Sequence, residues 1–333
     1  MRALIAGAAG FIGSNLTRRL LAEGWEVIAV DNLVTGRLSN LEACRSDPRF
    51  HFIEADLVHP LNIPGRLDWI LHFASPASPP KYLDYPIETL RINSEGTYNL
   101  LTTASLKGAK FFFASTSEIY GDPLIHPQPE SYWGHVNPVG PRSVYDEAKR
   151  FGEAMVYACR RSLAVPVRVI RIFNTYGPFM DPDDGRVVSN LICAALRGQP
   201  MTIYGKGQQT RSFQFVDDLV EGIIRLMAVE YEEPMNLGNP EEFSVLELAR
   251  MVQETTGTRS EIVFRPLPQD DPKQRRPVID RARGVLGWAP RIPLRLGLPA
   301  TVKYFREELD LQEPRIEYQP GIESRAVGAP ARG

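Results

Sequence analysis

The chain has 333 residues, 43% of them apolar and 23% charged, with a formal net charge of −2. That is apolar material for one large or two smaller packed domains, with no basic excess to hold nucleic acid. Its longest apolar runs have only strand length and the first predicted strand begins at Arg2, which argues against a signal peptide or a transmembrane helix; we expect a cytoplasmic protein with no membrane partner.

In chain order, Arg2-Ala-Leu-Ile-Ala6 reads as a short strand, Gly7-Ala-Ala-Gly10-Phe-Ile-Gly13 as a tight turn, and the stretch to about Glu23 as an amphipathic helix. Strand, glycine turn and helix together make a phosphate cradle. Gly7 permits the turn, Gly10 lets the backbone approach a pyrophosphate, Gly13 lets helix and strand pack closely, and the helix N-terminus offers free N–H groups to the anion. The next strand, Glu26-Val-Ile-Ala-Val30, ends at Asp31, close to the ~20-residue offset at which a carboxylate binds the ribose 2'-hydroxyl. That carboxylate repels a 2'-phosphate, so the expected cofactor is NAD rather than NADP. Arg37, nearby, reads as a solvated loop charge.

Strands follow at Phe50-His-Phe-Ile-Glu-Ala, ending at Asp56, and at Leu67-Asp-Trp-Ile-Leu-His-Phe73, then a long helix from about Pro86 to Lys107 and a strand at Lys110-Phe-Phe-Phe-Ala114. Such alternation predicts an α/β fold, a Rossmann-type doubly wound parallel sheet with a smaller C-terminal α/β substrate-binding lobe. Ligands in these sheets lie beyond the carboxyl ends of the strands, where Ala74-Ser-Pro-Ala-Ser78 and Ser115-Thr-Ser-Glu118 fall. After the strand Val167-Arg-Val-Ile-Arg-Ile-Phe173 the elements shorten and Pro and Gly increase. Helices are expected near 187–197, 217–227, 244–255 and 294–308, with a strand at 201–204. The expected division is a NAD-binding domain over 1–178, with about 213–240 packing back onto it. A nucleotide-sugar lobe takes 179–212 and 241–312, and a loose tail takes 313–333. Cys44, Cys159 and Cys193 are odd in number and far apart, as expected of buried reduced thiols, and the histidines show no metal-ligand spacing, so no metal is expected.

The chemistry centres on Ser143-Val-Tyr-Asp-Glu-Ala-Lys-Arg-Phe151, in which Tyr145 and Lys149 stand four residues apart. On a helix this puts a phenol and an ammonium on one face. A tyrosine of pKa ~10 needs roughly 4 kcal/mol of preferential phenolate stabilisation to ionise near neutrality. A lysine cation in a dry cleft can supply it. Taken alone the spacing is common on solvated helices; the glycine turn, Asp31 and the Ser/Thr segment give it meaning.

Those motifs together resemble the extended short-chain dehydrogenase/reductase superfamily, in its nucleotide-sugar-modifying branch. Ser75-Pro-Ala-Ser-Pro79, Ser115-Thr-Ser-Glu-Ile-Tyr-Gly121, Tyr132-Trp-Gly-His-Val-Asn-Pro138, Arg171-Ile-Phe-Asn-Thr-Tyr-Gly-Pro178, Asp184-Gly-Arg-Val-Val-Ser189 and Asn236-Leu-Gly-Asn-Pro240 narrow the resemblance to the UDP-glucuronate decarboxylase family, over about residues 2 to 308. Some members carry an N-terminal membrane anchor; none is expected here, in keeping with an expected cytoplasmic form. The resemblance implies conversion of UDP-glucuronic acid to UDP-xylose by C4 oxidation, loss of CO2 and re-reduction by the retained NADH. It implies Tyr145 as base, Lys149 and the nicotinamide charge lowering its pKa, Thr116 beside the phenol, and Ser117, Glu118 and Arg275 toward the sugar carboxyl, with Arg276 adjacent to Arg275. Serine at 117, where related dehydratases carry aspartate, can donate a hydrogen bond to a carboxylate rather than repel it.

The expected NAD contacts are Gly7, Gly10, Phe11, Ile12, Gly13, Asp31, Asn32, Thr35, Gly36, Asp56, Leu57, Phe73, Ala74, Ser75, Tyr145 and Lys149. The expected nucleotide-sugar contacts are Arg91, Asn99, Glu118, Tyr145, Asn174, Thr175, Arg186, Tyr204, Arg211 and Arg275; for Tyr204 the small lobe's interior competes with a place beside the uracil. The family also implies a homodimer through the 86–107 and 143–161 helices. A 4-epimerase or 4,6-dehydratase of the same branch shares all but Ser117, Glu118 and the carboxylate contacts. A non-catalytic NAD sensor would be expected to have lost the Tyr-x-x-x-Lys pair.

Overall fold

A computed structural model of the chain describes residues 1–266 and 274–310; the tail expected at 313–333 lies outside them. The first half runs β1 (Arg2–Ala6), α1 (Phe11–Ala22), β2 (Glu26–Asp31), β3 (Phe50–Glu54), β4 (Trp69–His72), α2 (Pro79–Asp84), α3 (Pro86–Arg91), α4 (Thr97–Lys107), β5 (Lys110–Thr116), α5 (Ser143–Leu163) and β6 (Val167–Ile172). The second runs β7 (Thr175–Tyr176), α6 (Val187–Leu196), β8 (Met201–Tyr204), β9 (Thr210–Ser212), β10 (Gln214–Phe215), α7 (Val216–Ala228), β11 (Met235–Leu237), β12 (Glu242–Ser244), α8 (Val245–Thr256), β13 (Ile262–Arg265), β14 (Gln274–Arg275), α9 (Asp280–Leu286) and α10 (Leu294–Glu308).

Strands β11-β6-β5-β4-β1-β2-β3 form one parallel sheet in that order. Because side chains alternate along a strand, Ala3 and Ile5 of β1 join α1 and α7 in one core while Leu4 and Ala6 join α4 and α5 in the other. A sheet covered on both faces is the expected α/β architecture. From β1 the chain first builds outward through β2 and β3, then returns to set β4 on β1's other side. That reversal is the switch point at which such sheets bind ligands.

The helix expected over 86–107 is interrupted by a π turn at Ile92–Gly96. Just beyond it the Thr97 hydroxyl donates to the Asn93 carbonyl at 2.9 Å and meets His72 Nε2 at 3.1 Å. The second lobe packs α6 and α8 against β8, and α10 against α6 and α8, around Tyr176, Phe213 and Phe215. Residues 216–237 return to the first domain: α7 lies on α1, and β11 becomes an edge strand of the large sheet. So does a stretch assigned above to the sugar lobe. Ile279, Ala282, Leu286 and Trp288 sit in the α1–α7 core, because α9 is amphipathic and finds its apolar partner in α7.

Candidate active site

The turn after β1 and the loop after β4 touch backbone to backbone. Gly7 has φ +80°, and a Cβ there would stand 2.6 Å from the Ala74 nitrogen; at Gly13 it would stand 2.0 Å from the Gly7 carbonyl oxygen. Any side chain at either place closes the cradle. The residue before α1, Gly10, brings no side-chain cap, and the first turn has no acid, so the helix N-terminus keeps its affinity for an anion. Asp31 ends β2 and accepts hydrogen bonds from the amides of Ala9 and Leu33, each at 2.9 Å. Burial raises its pKa against the pull of those amides. Gly36 lies so close that a Cβ would meet the Asp31 carboxylate at 2.7 Å. Asn32, Thr35, Asp56, Leu57, Phe73, Ala74 and Ser75 complete this cavity. These residues fit a dinucleotide.

Arg91, expected at the sugar, is here instead, and Asn99, expected there too, bonds to the loop after β3. Arg91 lines the Asp31 cavity and forks onto Glu95, at 3.0 and 2.8 Å. Asn99 donates to the carbonyls of Leu57 and Val58, at 3.2 and 2.9 Å. The helical segment carrying both presents this face to the loop after β3, so neither reaches the sugar cleft. Arg37 also departs from expectation: it ion-pairs with Glu308 of α10 at 2.6 Å, tying the loop after β2 to the second lobe.

The cradle opens into a cleft of about 660 Å³ between the lobes, within the ~300–1,000 Å³ usual for small-molecule sites. Helix α5 forms one wall. Its buried stripe includes Tyr145, Lys149, Gly152 and Val156, and at Gly152 a Cβ would lie 2.3 Å from the Phe113 ring. That close approach of α5 to β5 delivers Tyr145 and Lys149 to the strand end carrying Thr116. The Tyr145 ring stacks on Tyr82 with centroids 5.2 Å apart and planes 6° from parallel. Lys149 Nζ donates to the Ala114 carbonyl at 3.0 Å and stands 5.8 Å from the Tyr145 ring.

The expected lowering of the Tyr145 pKa is absent from the protein alone. Burial pushes it up to about 12, outweighing the pull of Arg186 and of the Thr116 hydroxyl, and Glu118 pushes it further the same way. The same burial pulls Lys149 down to about 7. Dry surroundings penalise whichever form is charged.

Glu118 ion-pairs with both Arg142 and Arg275. Burial would raise its pKa, but the two guanidiniums prevail and hold it low. Arg275 is 2% exposed, donates to the Gly121 carbonyl at 2.8 Å, and keeps a buried Nε that bonds to no described residue. Arg276 turns away toward Glu242, at 3.6 Å, so of the two adjacent arginines Arg275 is the one that lines the cleft. Ser117, Asn174, Thr175, Arg186, Tyr204 and Arg211 line the same space. Tyr204 is 46% exposed, at the rim rather than inside the small lobe. Among the wall residues that the sequence did not point to are Arg142 and Tyr82. Arg142 was signalled only by its place three residues before Tyr145, and Tyr82 only by following the Ser75–Pro79 segment.

The model of the NAD dependent epimerase/dehydratase family matches residues 3–238. The chain belongs to this family. It is 52% identical over 311 residues to UDP-glucuronic acid decarboxylase 1 of Xenopus tropicalis, covering 93% of this chain and 73% of that relative; it groups with the UDP-glucuronic acid decarboxylases. Among solved structures, UDP-glucose 4-epimerase of Thermotoga maritima superposes with a TM-score of 0.84 at 31% identity, over 93% of this chain and 100% of that one. UDP-glucuronic acid 4-epimerase of Bacillus cereus, in complex with UDP-glucuronic acid and NAD, gives 0.83 at 27% identity, over 92% and 100%.

Proposed function

We propose that the protein is an NAD-dependent decarboxylase that converts UDP-glucuronic acid to UDP-xylose. The observation that carries this reading is the convergence of Arg275 and Arg142 on Glu118 beside Tyr145: guanidiniums buried in a sugar-sized cleft suit a substrate carboxylate. The relatives' names support it. When bound, NAD supplies a reversible two-electron acceptor at sugar C4, and its positive charge favours the Tyr145 phenolate.

The protein's own groups do the rest. Gly7, Gly10, Gly13 and the start of α1 hold the pyrophosphate, and Asp31 accepts from the ribose hydroxyls. Tyr145 Oη takes the C4 hydroxyl proton as C4 is oxidised, with Lys149 stabilising the phenolate. The resulting β-keto acid loses CO2 because the electron pair of the broken C–C bond enters an enolate, whose oxygen takes hydrogen bonds from Tyr145 and Thr116. C5 then takes a proton, and C4 is reduced. Arg275, Ser117 and Glu118 orient the carboxyl end. Arg186, Arg211, Asn174, Thr175 and Tyr204 anchor the UDP moiety.

A mass spectrum of products from UDP-glucuronate, with no cofactor added to the purified protein, tests the reading. Loss of CO2 is expected; an isomer of unchanged mass would make the protein a 4-epimerase. Replacing Asp31 by Ala removes a charge-assisted acceptor worth ~1.5–3 kcal/mol, so NAD affinity should fall about 10- to 100-fold while NADP, no longer repelled, gains relative to it. An unchanged NAD/NADP ratio would reduce Asp31 to a brace for Ala9 and Leu33.

Dimerisation through α3–α4 and α5 is part of the same proposal, supported by exposed Ile87, Leu90, Tyr98 and Phe151 on those helices. Sedimentation equilibrium giving a monomer would refute it. No helix among the described residues is long and apolar enough to cross a membrane. Three buried cysteines, none in a disulfide, favour a reducing compartment and hence the cytoplasm, which fractionation would check.

A further inference from the structure

Arg275 lies on β14, a strand of two residues that pairs with β9, Gln274 against Thr210 and Arg275 against Arg211. So short a ladder does little to fix a side chain, yet a guanidinium that is to meet a carboxylate has to be held to within about 0.5 Å. The chain just beyond Arg275 is gripped by Gln128, from the loop between β5 and α5, 148 residues before Arg276.

Both backbone groups of Arg276 go to this one residue. Its N–H donates to Gln128 Oε1 at 2.9 Å, and its carbonyl accepts from the Gln128 amide at 2.9 Å. The Gln128 carbonyl in turn accepts from the Val278 amide at 2.9 Å and from Asn236 Nδ2 at 3.0 Å. Gln128 is 0% exposed, and its Nε2 donates to the Ile125 carbonyl at 2.8 Å, which keeps the side-chain oxygen turned toward Arg276. The same stretch of chain holds the head of the arginine. Arg275 pairs with Glu118 through Nη1 and donates from Nη2 to the Gly121 carbonyl at 2.8 Å. Backbone and guanidinium are thus both tied to residues between 118 and 128, although Gln128 itself does not line the cleft.

We propose that Gln128 is a positioning residue that sets Arg275 for the substrate carboxylate, through the bond its side-chain oxygen accepts from the Arg276 amide. The proposal rests on the decarboxylase reading in taking a uronic acid as the ligand of Arg275.

The test compares kcat/KM for UDP-glucuronate with the affinity for UDP-xylose, which has no carboxylate, in NAD-loaded Gln128→Met. That change roughly conserves volume and removes the acceptor, leaving the Arg276 N–H unpaired. kcat/KM should fall about tenfold, while UDP-xylose affinity stays within about twofold. In protein that already carries Arg275→Ala, the same change should cost less than about twofold, since a residue acting through Arg275 has nothing left to position. A role in stability alone produces neither the contrast between ligands nor the dependence on Arg275.

Equal losses for the two ligands, an unchanged kcat/KM, or a tenfold loss that persists beside Arg275→Ala each overturn the proposal. If Gln128→Met does not fold, Gln128→Asn, whose amide stops one methylene short of Arg276, undergoes the same comparison with the same expected and overturning results. A parent protein that neither binds nor decarboxylates UDP-glucuronate removes the decarboxylase reading and the proposal with it, whereas an active parent whose variants show no acid-selective loss overturns the proposal alone.

Discussion

Tyr145→Phe should lower turnover of UDP-glucuronate by at least ~10² while NAD and UDP-glucuronate still bind. The substitution keeps the ring that stacks on Tyr82 at 5.2 Å and removes only the hydroxyl. The fold should therefore be unchanged and the loss confined to chemistry, so kcat falls and KM moves little. Single-turnover kinetics with calorimetric binding separate the two. Activity within a few-fold of the parent would take the phenol out of the mechanism.

Arg275→Ala should lower kcat/KM for UDP-glucuronate by ~10²–10³, since a charge-assisted contact is worth ~1.5–3 kcal/mol and the guanidinium offers more than one. Removing one partner of a buried ion pair ordinarily costs ~3–5 kcal/mol of stability. Here the cost should be smaller, because Glu118 keeps its pair with Arg142. The discriminating comparison is UDP-xylose, which has no carboxylate and should bind the variant within a few-fold of the parent. Equal losses for both ligands would mean that Arg275 holds the cleft together rather than recognising the acid.

What could be read from the sequence was what is local along the chain. The glycine turn, the Asp31 offset and the Tyr145–Lys149 spacing are each local along the chain, and the structure brings the glycine turn and the Tyr145–Lys149 pair to one cleft, with Asp31 in the adjoining cavity. Arg275 was reachable only through resemblance. It meets Glu118 across 157 residues of chain, by β14 pairing with β9, and nothing in Lys273-Gln-Arg-Arg-Pro277 distinguishes it from a solvated loop. Arg91 and Asn99 went astray because a sequence gives the period of a helix but not which side its polar residues turn to the sheet. The direction of the Tyr145 pKa was missed for a similar reason. The spacing supplies a neighbouring cation, but only the packing of α5 on β5 reveals that both groups are buried and that desolvation is the largest influence on each.

In the proposed reaction C4 is oxidised and reduced within the cleft while C5 loses CO2 and gains a proton. UDP-xylose formed from unlabelled UDP-glucuronate in D2O tests it directly. An enolate at C5 must be protonated by an acid that exchanges with solvent, whereas the C4 hydrogen stays shielded throughout. NMR of the product should show one deuterium at C5 and none at C4. Deuterium at C4, or its absence from C5, would contradict the oxidation, decarboxylation and reduction sequence assigned to Tyr145, Lys149 and bound NAD.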